Sequence, residues 1–140
     1  SYQQRARELA NSRFSIAMEA KKQLIAAGAE GAGAALEMVD STNRRARILA
    51  ILVVREAGTE RMVASLLPAL SDADPQIRYH AALALKDVFG QDFGYYHNAG
   101  EESRQQAIEA WKKFLFEEKN LDEPPPTEAG TVSAEAPTEE

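Results

Sequence analysis

The 140-residue sequence contains no cysteine, which excludes disulfides and thiolate metal sites but leaves the compartment open. Aromatic residues are scarce, at 7%, with a single tryptophan, and there are only two histidines, His80 and His97. Two isolated histidines give no metal-ligand spacing. No apolar run approaches the roughly 20 residues that span a bilayer, and the longest, Ile48 to Val54, is far shorter. Membrane insertion is therefore not expected. No basic segment followed by an apolar stretch marks a secretion signal. No Gly-rich phosphate loop, paired catalytic carboxylates or nucleophile motif is present, so neither an enzyme nor a cofactor is expected. The chain opens on Ser1 without an initiator Met, and we read it as a domain of a longer protein, with exported and cytosolic settings both open.

What is present is an ordinary globular balance, 44% apolar and 27% charged, rich in alanine. The charge is unevenly placed. From Glu117 onward there are eight acidic residues and one basic residue, a net of −7, which leaves 14 acidic and 15 basic residues in 1–116, a net of +1. The body is nearly neutral and the acidity belongs to the end of the chain. Residues 121–140 hold four of the six prolines and only two large apolar residues, Leu121 and Val132. Such a composition buries too little surface to offset its ordering entropy, so 120–140 reads as a disordered acidic tail or linker. The run Pro124-Pro125-Pro126 favours locally extended polyproline backbone.

Everything before the tail reads as helix, giving an all-α fold of about six helices over residues 1–119. An N-terminal helix is expected over 1–28, with Ala10, Phe14, Ala17, Leu24 and Ile25 on one face and Gly28 and Gly31 breaking it. A short helix follows, with Ala32, Ala35, Leu36 and Val39 inward. Asp40-Ser41-Thr42-Asn43 is a turn, and Asn43 caps a helix from about Arg44 to Ala57. That helix is apolar on most of its circumference, which places it centrally. Gly58 ends it. The next helix, about Glu60 to Leu70, carries Pro68 late, where proline loosens or kinks the last turn. Asp74 and Pro75 are a cap and a first-turn proline for the following helix, closed by Gly90. After the loop 91–100, a final helix over 101–119 turns Ala107, Ile108, Trp111 and Leu115 inward.

Laying Leu36 on Leu67 superposes two helix pairs, 30–58 and 60–90. In that alignment Val39 meets Leu70, Asn43 meets Asp74, Arg47 meets Arg78, and Ala50, Leu52 and Val54 meet Ala81, Leu83 and Leu85. Repetition at a period of this order marks stacked helical units. The segment Leu66-Leu67-Pro68-Ala69-Leu70-Ser71-Asp72-Ala73-Asp74-Pro75-Gln76-Ile77-Arg78 resembles the end of the first helix, the turn and the second-helix start of a HEAT repeat of the short bacterial type. Ala81 to Leu85 continues the likeness, which covers about Gly31 to Phe116. The 36–58 copy is weaker, because Asn43-Arg44 replaces Asp-Pro. A tetratricopeptide repeat fits less well in period and motif.

The resemblance implies a right-handed superhelical α-solenoid, with the second helices lining a concave face and the last helix as a cap. On that face it places Arg44, Arg45, Arg47, Arg55, Arg78 and Lys86, read either as a solvated face or as a contact for a phosphate group or acidic peptide, the chain's own tail included. Phe93, Tyr95, Tyr96 and Trp111 form an aromatic group that either caps the last core layer or offers a binding patch. Tyr79-His80 reads as ordinary surface, His97 as a candidate contact, and Asp92, Asn98 and Glu101 as a weak oxygen set for Ca²⁺. The expected function is a non-catalytic scaffold that holds a protein or acidic peptide, with a structural spacer of a larger exported bacterial protein as the alternative. Nucleic-acid binding, known among HEAT-like DNA glycosylases, is disfavoured by a body charge of +1. Chromophore lyase activity has only fold analogy behind it.

Overall fold

A computed structural model describes residues 1–121, and the acidic tail expected over 120–140 lies outside the described residues from Asp122 onward. These residues form seven α-helices and no strand: α1 (Tyr2–Arg7), α2 (Phe14–Ala26), α3 (Ala29–Ala35), α4 (Arg44–Ala57), α5 (Glu60–Ala64), α6 (Pro75–Phe89) and α7 (Glu101–Lys112). The three short helices α1, α3 and α5 each lead into 3₁₀ turns, at Glu8–Ala10, Leu36–Met38 and Leu67–Ser71, and α7 runs into a π-helical turn at Lys113–Glu118.

The expected single N-terminal helix is divided in two. Asn11 is extended at φ −62°, ψ 136°, and its side-chain Oδ1 accepts the Arg13 amide at 2.8 Å. An Asx turn of this kind competes with the helix for backbone donors. The same turn recurs twice. Ser41 Oγ accepts the Asn43 amide at 3.0 Å, and Asp72 Oδ2 accepts the Asp74 amide at 2.8 Å. The residues that open α2, α4 and α6, namely Arg13, Asn43 and Asp74, share one backbone conformation at φ −84°, −85° and −87°. The chain thus builds three helix pairs, α1–α2, α3–α4 and α5–α6, where the sequence repeat showed two.

Other boundaries follow local chemistry. Asn43 accepts the Ala46 amide at 2.9 Å, Thr59 the Met62 amide at 3.2 Å and Asp74 the Gln76 amide at 2.8 Å, so α4, α5 and α6 begin on side-chain caps. α5 ends at Ala64, one turn before Pro68, whose ring excludes the carbonyl that a continuing helix would place there. Gly90 closes α6 in the left-handed region at φ +71°.

α2, α4 and α6 lie side by side in chain order, α3 packs on α1, α2 and α4, and α7 closes the structure over the 3₁₀ turn at Leu67–Ser71. One continuous core runs from Ala6 to Leu115, with Leu24, Ile51, Val53, Val54, Leu70, Ile77, Leu85 and Leu115 fully buried. α4 sits at its centre, as its apolar circumference required. Two expectations fail, an inward Phe14 and a helix break at Gly31, and the apolar circumference of α4 is unevenly buried. Phe14 is 61% exposed, because the break at Asn11 turns the start of α2 outward. Leu52 is only half-buried, while its neighbour Ile51 is fully buried. Gly31 does not break a helix but lies inside α3, so close to α2 that a Cβ there would stand 1.9 Å from the Leu24 carbonyl oxygen.

Candidate functional site

The cations expected on an open face are drawn into the turns that join the helices. Arg47 donates from Nε to the Val39 carbonyl at 3.1 Å and pairs through Nη2 with Asp72 of the next turn. Arg78, its counterpart in the next helix pair, is 9% exposed. Its Nη1 donates to the carbonyls of Asp72 at 2.7 Å and Ala73 at 3.2 Å, and its Nε to the His97 carbonyl at 2.8 Å. Arg45 reaches back to the carbonyls of Leu9 and Asn11, with its guanidinium 5.9 Å from the Phe14 ring centroid. Arg44 pairs with Asp74, and Arg55 donates from Nε to Asp87 at 2.6 Å. The Arg44 guanidinium, followed by the Gln76 amide, holds the Asp74 carboxyl below its ordinary range. Five of the six cations therefore bridge neighbouring turns or helices. Lys86 differs: its side chain is 60% exposed and its ammonium lies 4.0 Å from Asp92.

The aromatic group divides by depth. Trp111 is 2% exposed and packs edge-on against Phe93 at 4.9 Å and Phe89 at 6.0 Å between ring centroids. With Phe114 these rings cover the last layer of the core. Tyr95 is anchored, its hydroxyl donating to the Leu70 carbonyl at 2.7 Å, and burial pushes its pKa up. Tyr96 stays outside, 56% exposed, with its ring 4.9 Å from His97.

Around Tyr96 the loop 91–100 and α6 enclose a cleft of about 140 Å³. It is lined by Tyr79, Leu83 and Lys86 of α6, by Asp92, Tyr95, Tyr96 and His97 of the loop, and by the buried Trp111. The loop is held rather than loose. Arg78 and Tyr95 tie it to the preceding turn, Gly94 donates to Asp92 Oδ1 at 2.8 Å, and Arg104 donates to the Ala99 carbonyl at 3.0 Å. Phe93 adopts φ +52° to turn its ring inward.

Tyr79, 38% exposed, stands edge-on between His80 and His97 at 5.1 and 5.0 Å. His80 is half-buried, and its Nδ1 is enclosed without a hydrogen-bond partner. Burial, then the nearby charges of Arg55 and Arg44, lower its pKa and favour the neutral ring. From sequence Tyr79-His80 reads as plain surface. The signal for Tyr79 lies in the repeat itself: in the alignment of the two pairs, Tyr79, Leu83 and Lys86 fall on Ile48, Leu52 and Arg55, the outward row of α4. Of the set Asp92, Asn98 and Glu101, Asp92 accepts the Gly94 amide at 2.8 Å and lies 4.0 Å from the Lys86 ammonium. Among the described residues no group of three or more His, Cys, Asp or Glu could hold a metal ion, and no helix is long and apolar enough to cross a membrane.

The cleft thus offers aromatic faces, aliphatic surface and a cation–carboxylate pair. No family model matches the sequence, and no curated protein and no solved structure matches it.

Proposed function

We propose that this chain is a non-catalytic protein-binding module, a short HEAT-type stack of helix pairs, that captures an extended peptide segment of its partner in the cleft between α6 and the loop 91–100. The observation that carries this is the convergence of Tyr79, Tyr95, Tyr96 and His97 on one small cleft beside the buried Trp111. Aromatic side chains carry much of the energy of protein recognition when a fixed scaffold presents them. The arginine row is not the primary contact in this proposal, because its guanidiniums already satisfy carbonyls and carboxylates of the protein. The same commitment disfavours nucleic acid, which needs many free cations.

The test is capture of the cellular partner by the full chain and by a Tyr79→Ala/Tyr96→Ala variant, with circular dichroism as the control for folding. Loss of the captured protein with an unchanged spectrum supports the proposal. Undiminished capture overturns it, and failure of either chain to crosslink to anything favours a structural spacer instead.

A further inference from the structure

The occupant of the cleft follows from what leaves α7. The Leu121 amide donates to the Leu115 carbonyl at 3.0 Å, which fixes the point from which residues 122–140 depart. Leu115 lies one helical turn, about 6 Å, beyond Trp111, which lines the cleft. Pro126 is five positions beyond Leu121, and an extended segment of that length spans up to about 17 Å. The run Asp122-Glu123-Pro124-Pro125-Pro126 is therefore long enough to turn back over the cleft.

The order of residues also fits. Phe89, at the end of α6, packs on Trp111 and Phe114, both at 6.0 Å, so the end of α6 and the end of α7 lie together. Lys86 is one turn before Phe89 and is the last residue of α6 that lines the cleft. A chain leaving Leu121 presents Asp122 and Glu123 first and the three prolines next. Lys86, whose ion pair with Asp92 is long at 4.0 Å, is a cation of complementary charge for those two carboxylates. Beyond Lys86 the cleft offers the exposed ring of Tyr96 as a face for proline. Proline rings stack well on tyrosine and tryptophan, and proline loses little conformational freedom when bound. Residues 122–140 contain six acidic residues and no basic one, so no charge in the segment opposes Lys86.

We infer that residues 122–126 of this chain dock into its own aromatic cleft and compete there with the external peptide. This assignment rests on the cleft being the recognition site proposed above, and its test separates the two. Amide NMR spectra of the full chain would be compared with those of a Pro124→Ala/Pro125→Ala/Pro126→Ala variant and of Tyr96→Ala. Docking predicts that the Asp122, Glu123 and Thr127 amides move in Tyr96→Ala, that the Tyr79, Lys86 and His97 amides move in the proline variant, and that neither effect depends on protein concentration. A synthetic peptide of residues 121–128 should bind the proline variant about tenfold more tightly than the natural chain, because a tethered competitor at high effective concentration has been removed. Residue 122–127 amides that are indifferent to Tyr96→Ala overturn self-docking, as does equal peptide affinity for the two chains. Shifts that grow with concentration overturn it in favour of a second copy. If self-docking fails while Tyr79→Ala/Tyr96→Ala still abolishes partner capture, the proposed function stands without it.

Discussion

Arg47 and Asp72 belong to successive helix pairs, yet they form an ion pair while Arg47 also donates to the Val39 carbonyl of its own turn. One side chain thus fixes two turns relative to each other. The two side chains are 21% and 19% exposed, too enclosed for an ordinary surface ion pair. Replacing Arg47 by Ala strands a carbonyl and a carboxylate and should cost about 1–3 kcal/mol, read as a lower urea midpoint. A double-mutant cycle with Asp72→Ala should return a coupling of about 1 kcal/mol, and a coupling near zero would show that the bridge carries no stability.

Arg78 extends the same device to the cleft. Its planar fork serves three carbonyls on two segments, which a lysine ammonium on a flexible stem does not reproduce. Arg78→Lys should leave the helices formed but loosen the loop. The measurement is hydrogen exchange over residues 95–99, expected to speed up by about tenfold or more for a loss of about 1.4 kcal/mol in local stability. Unchanged exchange would show that Tyr95 and Arg104 hold the loop without it.

Gly31 and Gly33 lie close together in α3 with opposite surroundings. A Cβ on Gly31 meets the Leu24 carbonyl oxygen at 1.9 Å, a backbone atom that cannot step aside. On Gly33 it meets only the flexible end of Met62 at 3.7 Å. Gly31→Ala should destabilise by about 3 kcal/mol, as overpacking against a fixed neighbour does. Gly33→Ala should be neutral or stabilise by up to about 1 kcal/mol, because alanine is the better helix former. Thermal denaturation of the two variants decides it, and equal midpoints would refute the close crossing of α2 and α3.

Ile51 and Leu52 are adjacent and apolar but differ in depth. Ile51→Ala should cost about 2–5 kcal/mol, the range for a buried aliphatic truncated without collapse of the site. The apolar circumference of α4 makes Leu52 look as critical as Ile51, yet its half-buried position lets a carboxylate reach water. Leu52→Asp should therefore keep a cooperative transition at a lower midpoint, while Ile51→Asp should abolish it in denaturant titrations followed by circular dichroism.

His80 makes the fold sensitive to mild acid. Its pKa in the folded chain lies below the ordinary 6.5, so the unfolded chain binds the proton more readily. Stability is then complete above about pH 6.5 and declines as the pH falls through that value towards the lower folded pKa. Urea midpoints at pH 7.5 and 5.5 should show the decline in the natural chain and a smaller one in His80→Gln. Identical pH dependence in both would remove His80 as its source.

Local chemistry wrote much of this molecule into its sequence. The apolar stripes of α4, α6 and α7, the caps Asn43 and Asp74, the stop at Gly90 and the loosening at Pro68 each depend on residues within one or two turns of one another. They were legible because helix periodicity and capping are short-range effects. The third helix pair was not, since Arg13 stands where the other pairs carry a capping side chain, and only the turn geometry of Asn11 reveals the equivalence. The arginine pattern was visible as a repeat, but the sequence could not say which acceptor a long guanidinium finds. Arg45 meets the carbonyls of Leu9 and Asn11 in another helix pair, and Arg78 meets that of His97 in the loop beyond α6. The cleft belongs to the same class. Periodicity marked Tyr79 as outward and left the aromatic loop as either cap or patch. The packing of Phe93 on Trp111 and the anchoring of Tyr95 sent some rings inward and left Tyr96 to face Tyr79 and His97. What a residue does within its own turn is a matter of sequence, because its partners there are never far along the chain. Which distant group it meets is settled only when the helices stack.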